Sequence, residues 1–350
     1  MNNPQIATIV NEYLELADDS CVAILPDVLR VTNALGLPDL LGDATVPVGE
    51  LACRAGCHEP SLRRWLRGLA ALGLVHCAPD DAVRLTATGQ RLAVGHPRSV
   101  RFSTSQRDSA VAWLGAEETL RTGQPAFNSV YGHFFDHKSF APEARQAFLR
   151  RMRERASRLY PRLPSVVDWC GSRVVMDLGG GDGSVLAAVL RHDQRLRGVL
   201  FDLPSVISLA SDDPASPLSS LPSRLSASAG DFFVGIPASA DTHLMCSVLH
   251  DWSDDESVQL LRNSHRSLPR DGRLLIVELV LSDGDGSHPG IWSDLGMMVL
   301  TGGRERSVAE FDALLGAAGF TLVKVIPIPH SDFSVLEASP ARPDHHGSIK

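Results

Sequence analysis

The second half of the chain is punctuated by short apolar runs, each stopping at a polar or glycine-bearing segment. Val174-Val175-Met176-Asp177-Leu178 is the first, and Leu200-Phe201-Asp202 closes a second. Ala229-Gly230-Asp231-Phe232-Phe233 follows a third, Leu244 to Leu249 form a fourth, and Arg273 to Glu278 a fifth. Such runs, bounded by turn residues and separated by helix-length segments, predict parallel strands of an open α/β sheet. The first half reads differently. From Asn11 to Leu41 apolar residues recur at helical spacing, with stops predicted at Pro26 and at Gly36-Leu37-Pro38. Val48 and Glu59 open two further short helices. Leu74 to His76 and Val83 to Thr86 read as a β-ribbon turning at Pro79-Asp80-Asp81. Two short helices and a ribbon predict a winged helix-turn-helix. Between the halves, Phe140 to Tyr160 reads as a long helix with Phe148 and Met152 on one face. Ser211 to Ser228, rich in Ser, Pro and Ala, reads as a loose connection.

The chemistry concentrates where the first strand ends. Asp177, Gly179, Gly181 and Gly183 form Asp-x-Gly-x-Gly-x-Gly, and a helical run starts at once. Strand, glycine turn and helix together present backbone to a nucleotide. The spacing fails the dinucleotide pattern G-x-G-x-x-G, because Ser184 or Leu186 falls where the last glycine belongs. No P-loop pattern occurs either. An acid ahead of the glycines suits a ligand with a positive charge, such as the sulfonium and ammonium of S-adenosylmethionine. Asp202 follows about 20 residues beyond the glycines, where an acid accepts hydrogen bonds from ribose hydroxyls. Asp231 with Phe232 is placed to hold an adenine amino group and ring face. His250 ends the fourth strand and is the candidate base. Each of these residues lies just past a strand's carboxyl end, where open α/β sheets bind ligands.

The ordered set DLGGGDG, FDLP, GDFF, LHDWSDDE, GRLLIVE and GGRERS resembles the caffeic-acid and hydroxyindole type of small-molecule O-methyltransferase. The likeness is to the bacterial antibiotic-biosynthesis branch that includes mitomycin and carminomycin methyltransferases, and it runs from about Glu12 to Val335. It implies a class I methyltransferase Rossmann-like sheet with an α-rich N-terminal winged-helix dimerisation domain. The implied domains are 1–100 for dimerisation, 101–165 as a helical linker contributing to the substrate pocket, 166–340 for S-adenosylmethionine binding and catalysis, and 341–350 as a disordered tail. It implies cofactor contacts at Asp177, Gly179, Gly181, Asp202, Leu203, Gly230, Asp231, Phe232, Ser247 and Trp252. It places Phe148, Met152, Trp292, Asp294, Met297 and Met298 on the substrate pocket. It makes His250 a general base, with Glu278 or Glu305 accepting the imidazole N–H, and it implies no metal. The substrate is then a hydroxyl on a small aromatic natural product, polyketide- or naphthoate-like, and the cofactor product is S-adenosylhomocysteine. Two points stay open: Asp251 either binds cofactor or caps the next helix, and Arg151, Arg153 or Arg155 could reach the cofactor carboxylate.

Composition narrows the alternatives. The formal net charge of −8 argues against a nucleic-acid or anionic-membrane partner. Arg63, Arg64 and Arg67 on the second winged-helix segment raise a DNA-binding regulator as a rival, yet residues 1–100 carry 11 acids against 8 basic residues. A diverged S-adenosylmethionine-binding hydroxylase or decarboxylase is the rival within the fold. No apolar run is long enough to cross a membrane, the first residues lack a signal-peptide pattern, and a cytoplasmic location is expected. Six scattered cysteines, with Cys53-x-x-x-Cys57 lacking a second pair, read as reduced thiols.

Overall fold

The computed structural model describes residues 20–101, 106–139, 142–159, 161–213, 216–282 and 290–341. The chain divides into two compact units, residues 4–111 and residues 112–350. The helical segment expected as a linker over 101–165 thus clusters with the sheet from Ala112 onward.

In the N-terminal unit, the helix Ser20–Ala34 runs through Pro26 instead of stopping there; proline forfeits one backbone bond and does not end this helix. Helices Leu37–Leu41, Val48–Ala55 and Glu59–Ala71 follow. Three short strands, β1 (Val46–Pro47), β2 (Val75–Cys77) and β3 (Ala82–Leu85), pair in the order β1-β3-β2. Leu51, Leu62, Leu66, Leu69 and Val83 close the core beneath this wing. Arg63, a candidate DNA contact by position, is paired with Glu59 and Asp81.

The C-terminal unit begins with helices that include Ala116–Thr122, Ala126–Tyr131, Phe134–Ser139 and Pro142–Leu159. The sheet then takes β4 (Val174–Leu178), β5 (Arg197–Asp202), β6 (Leu225–Ala229), β7 (Thr242–Cys246) and β8 (Arg273–Leu281). It also takes β9 (Arg306–Ser307), β10 (Phe320–Pro327) and β11 (Phe333–Pro340). The order is β10-β11-β8-β7-β4-β5-β6, with β9 added beside β8. Strands β4 to β9 pair in parallel, whereas β11 runs antiparallel to both β8 and β10.

Alternation along the strands divides the core. Val175, Leu200, Leu244, Leu275 and Val277 face one layer. Met176, Phe201, Met245, Leu274 and Ile276 face the other. Burial on both faces is why these strands read as continuous apolar runs. The stretch expected to be a loose connection holds order: a short helix, Pro217–Ser220, and the edge strand β6. Arg224 closes it by donating to the carbonyls of Leu190, Asp193 and Leu196. Chain direction across the sheet reverses between β4 and β7, which opens a crevice at their carboxyl ends.

Candidate active site

The turn after β4 needs its alternating glycines. Gly179, Gly181 and Gly183 have φ of 72°, 62° and 80°, a left-handed region that costs other residues about 1–2 kcal/mol each. Gly180, which the spacing did not single out, is required for another reason. A Cβ there would lie 2.6 Å from the Asp177 carboxyl and from Leu200.

Asp177 lies under this turn, 1% exposed, with no hydrogen bond to either carboxylate oxygen. Burial, followed by the nearby charges of Asp202 and Asp182, pushes its pKa up to about 7. Asp202 ends β5 and accepts the Gly181 N–H at 2.8 Å and the Leu203 N–H at 2.7 Å. Burial raises Asp202 to about 6 against those two bonds. Leu203 itself is exposed. Gly230 seats against Phe201, whose ring a Cβ would meet at 2.7 Å. Asp231 accepts the Phe233 N–H at 2.8 Å, and Phe232 packs beside Gly179. Of the arginines left open, Arg153 pairs with Asp182 and Asp213. Arg151 lies over the Phe148 ring and Arg155 over Phe333.

The second half of the site is built around a turn after β7. Ser247 takes a positive φ of 55°, and Leu249–Asp251 form a single 3-10 turn. Glu278, fully buried in β8, accepts the N–H groups of Val248 and Leu249 at 2.9 Å through Oε1, with that of His250 at 3.4 Å. His250 Nδ1 lies 2.9 Å from Glu305 Oε1, which also accepts the Ser293 hydroxyl at 2.7 Å. The imidazole partner is therefore Glu305. Glu278 stands 3.8 Å from Nδ1 through Oε2, and its other oxygen, Oε1, is spent on backbone. Burial alone would lower the His250 pKa; the charges of Glu278, Asp251 and Glu305 outweigh it and push it up to about 9. Burial raises Glu278 to about 7. Burial also opposes ionisation of Glu305, but the charge and hydrogen bond of His250 hold this carboxyl below its usual range.

Three residues important to this geometry carried no assigned role from sequence. Arg306 is fully buried and donates to the carbonyls of Leu249 and Trp252 at 2.9 Å, to Ser257 Oγ at 3.3 Å, and to Asp254 at 2.8 and 2.9 Å. It clasps the backbone on both sides of His250. Gly303 lies flat on the same backbone, where a Cβ would fall 2.1 Å from the His250 carbonyl oxygen. Ser293 is the third. The GGRERS motif contained two of them, but a charged string next to glycines also reads as surface.

Several expectations change. Asp251 does not cap the following helix; Ser253 does, in a capping box with Glu256. Asp294, expected on the substrate wall, uses Oδ1 to hold the Glu305 N–H at 2.8 Å. Phe148 and Met298 pack with Phe127, Phe134 and Val299 in an apolar cluster. Met152 and Met297 are half-buried, while Trp292 is 56% exposed. Trp252 packs against Phe233 at 4.7 Å and stacks on Phe135 at 5.4 Å and His133 at 5.9 Å. The tail expected over 341–350 lies outside the described residues from 342 on.

Residues 113–321 match the family model described as an O-methyltransferase domain. Phenazine O-methyltransferase of Lysobacter antibioticus is 35% identical over 315 residues, covering 89% of this chain and 92% of the relative. Aclacinomycin 10-hydroxylase of Streptomyces purpurascens is 32% identical over 330 residues, covering 90% and 87%. A methyltransferase from neocarzinostatin biosynthesis, crystallised with S-adenosylmethionine and 2-hydroxy-5-methyl naphthoic acid, superposes with a TM-score of 0.80. Its identity is 29%, over 90% of this chain and 96% of that one.

Proposed function

The chain belongs to the O-methyltransferase domain family, and from that premise we propose that it transfers a methyl group from S-adenosylmethionine to an aromatic hydroxyl, with His250 as general base. The observation that carries the base assignment is the buried 2.9 Å contact between His250 Nδ1 and Glu305. It fixes a hydrogen on Nδ1, so the neutral ring, which forms as pH rises toward about 9, offers its Nε2 lone pair to the substrate proton. The sulfonium is already a good leaving group, so alignment of oxygen, methyl and sulfur is the main task of the protein. A neutral phenol, with a pKa near 10, still needs its proton removed. Glu305 stabilises the imidazolium as it forms, while Glu278, Arg306 and Gly303 hold the backbone beneath it. Asp202 braces the glycine turn that receives the cofactor, with Asp177, Asp231, Phe232 and Trp252 completing its surroundings. Phe148, Met152, Met297 and Met298 supply apolar surface for a planar ring. The reaction needs no metal, the enzyme acts in the cytoplasm, and the N-terminal unit pairs two copies.

His250→Ala tests this reading. Base catalysis contributes about a hundred- to ten-thousand-fold, so turnover should fall within that range while S-adenosylhomocysteine affinity is unchanged. Wild-type turnover in the variant would remove the base role. The aclacinomycin hydroxylase relative favours a second reading, hydroxylation on the same scaffold. Mass spectrometry of the product separates an added methylene unit from an added oxygen.

A further inference from the structure

Carboxylates outnumber cations around His250, with Arg155 as a further positive charge near Asp251 and Glu305. One imidazole faces three carboxylates, Glu305 at 2.9 Å and Glu278 and Asp251 each at 3.8 Å. Oε2 of Glu278 and Oε2 of Glu305 are buried and accept no hydrogen bond. A desolvated carboxylate oxygen without a donor is costly and attracts a cation. One ligand-type atom from each of His250, Glu278 and Glu305 lies within 4.8 Å of the others.

We propose that His250, Glu278 and Glu305 form a site for a divalent cation of the zinc class, and that its occupation switches the enzyme off. A tetrahedral zinc ion with bonds of about 2.0–2.2 Å sets its ligand atoms about 3.3–3.5 Å apart. His250 Nδ1 stands 2.9 Å from one glutamate and 3.8 Å from the other, on either side of that separation. At the two histidine–glutamate edges, shifts of about half an ångström would seat the ion. Imidazole with carboxylates is a ligand set that zinc accepts, and the two glutamates cancel its charge. Glu278 binds through the oxygen that the backbone does not use, so the turn keeps its anchor.

The inhibition, unlike the binding, rests on His250 being the base. In the active form Nδ1 carries a hydrogen aimed at Glu305. Zinc takes the Nδ1 electron pair, and the proton displaced from Nδ1 passes to Nε2. The neutral ring then carries its one hydrogen on Nε2. That nitrogen now donates where catalysis requires it to accept.

The test is equilibrium dialysis of the full chain against chelator-buffered zinc, read beside turnover. Cys53, Cys57, Cys77, Cys170 and Cys246 are free thiols, so the decisive quantity is the difference between wild type and variants. Wild type should bind one equivalent more than His250→Ala or Glu278→Gln, or bind it at least about tenfold more tightly. Cobalt(II) in that site should show d–d absorption without thiolate charge transfer. Zinc should lower kcat, leave the KM for S-adenosylmethionine unchanged, and be reversed by a chelator. Equal zinc binding by wild type and both variants would overturn the proposal. Circular dichroism checks each variant, and Glu305→Gln replaces one that fails to fold. Binding is read without turnover, so an active His250→Ala would refute the base and leave the zinc site standing.

Discussion

At the residue scale, the side chain that shapes the turn after β7 is distinct from the one proposed as the base. Arg306 grips carbonyls on either side of His250 and touches neither its ring nor Nε2. Removing one partner of a buried charged network costs about 3–5 kcal/mol. Arg306→Met should therefore lower the unfolding midpoint and also cut kcat more than KM, because the imidazole loses its aim. Arg306→Lys keeps the charge but cannot fork between Asp254 and two carbonyls, so it should restore stability more than kcat. Parallel losses of kcat and stability in both variants would make the role purely structural. His250 stood out in the sequence because it sits at a strand end inside a run of ordered motifs. Arg306 was not, because its partners lie about 50 residues away and an arginine between charged neighbours is usually solvated.

At the element scale, β4, β5, β7 and β8 were legible because burial on both faces writes them as apolar runs. β6 was marked only by the Gly230-Asp231 segment that follows it: its own sequence, LSASA, is the weakly apolar pattern of a strand exposed along one edge. The helix Asp254–Ser267 meets β7 through one polar contact, His243 Nδ1 to Ser264 Oγ at 2.8 Å. Burial lowers the His243 pKa to about 4, and its Nε2 has no partner. A histidine shifted down binds its proton more readily once unfolded. Its contribution is therefore complete above pH 6.5 and lost as pH falls toward about 4. At ~1.4 kcal/mol per unit, this residue should cost the fold roughly 3 kcal/mol over that window. Urea unfolding of wild type and His243→Leu at pH 7 and pH 4.5 checks it: the variant should lose less stability between the two.

At the scale of the whole molecule, the fold class was legible, with an α-rich N-terminal part ahead of an α/β sheet. Residues 112–165 are helical like what precedes them and cluster with the sheet. No described helix is long and apolar enough to cross a membrane. Exposed Trp113, Leu114 and Leu120 leave apolar surface on the C-terminal unit. If that surface and the N-terminal unit pair two copies, light scattering should give twice the 37.7 kDa of one chain. A monomer at micromolar concentration would rule that out.

The turn that carries His250 takes its shape from Glu278, Arg306 and Gly303, all of which grip main chain. Its form is thus encoded separately from the side chain at position 250. Mutation can exchange that side chain and keep the turn, at a stability cost from the buried carboxylates that lose their partner. The chemistry proposed for position 250 can therefore change across generations while the fold persists.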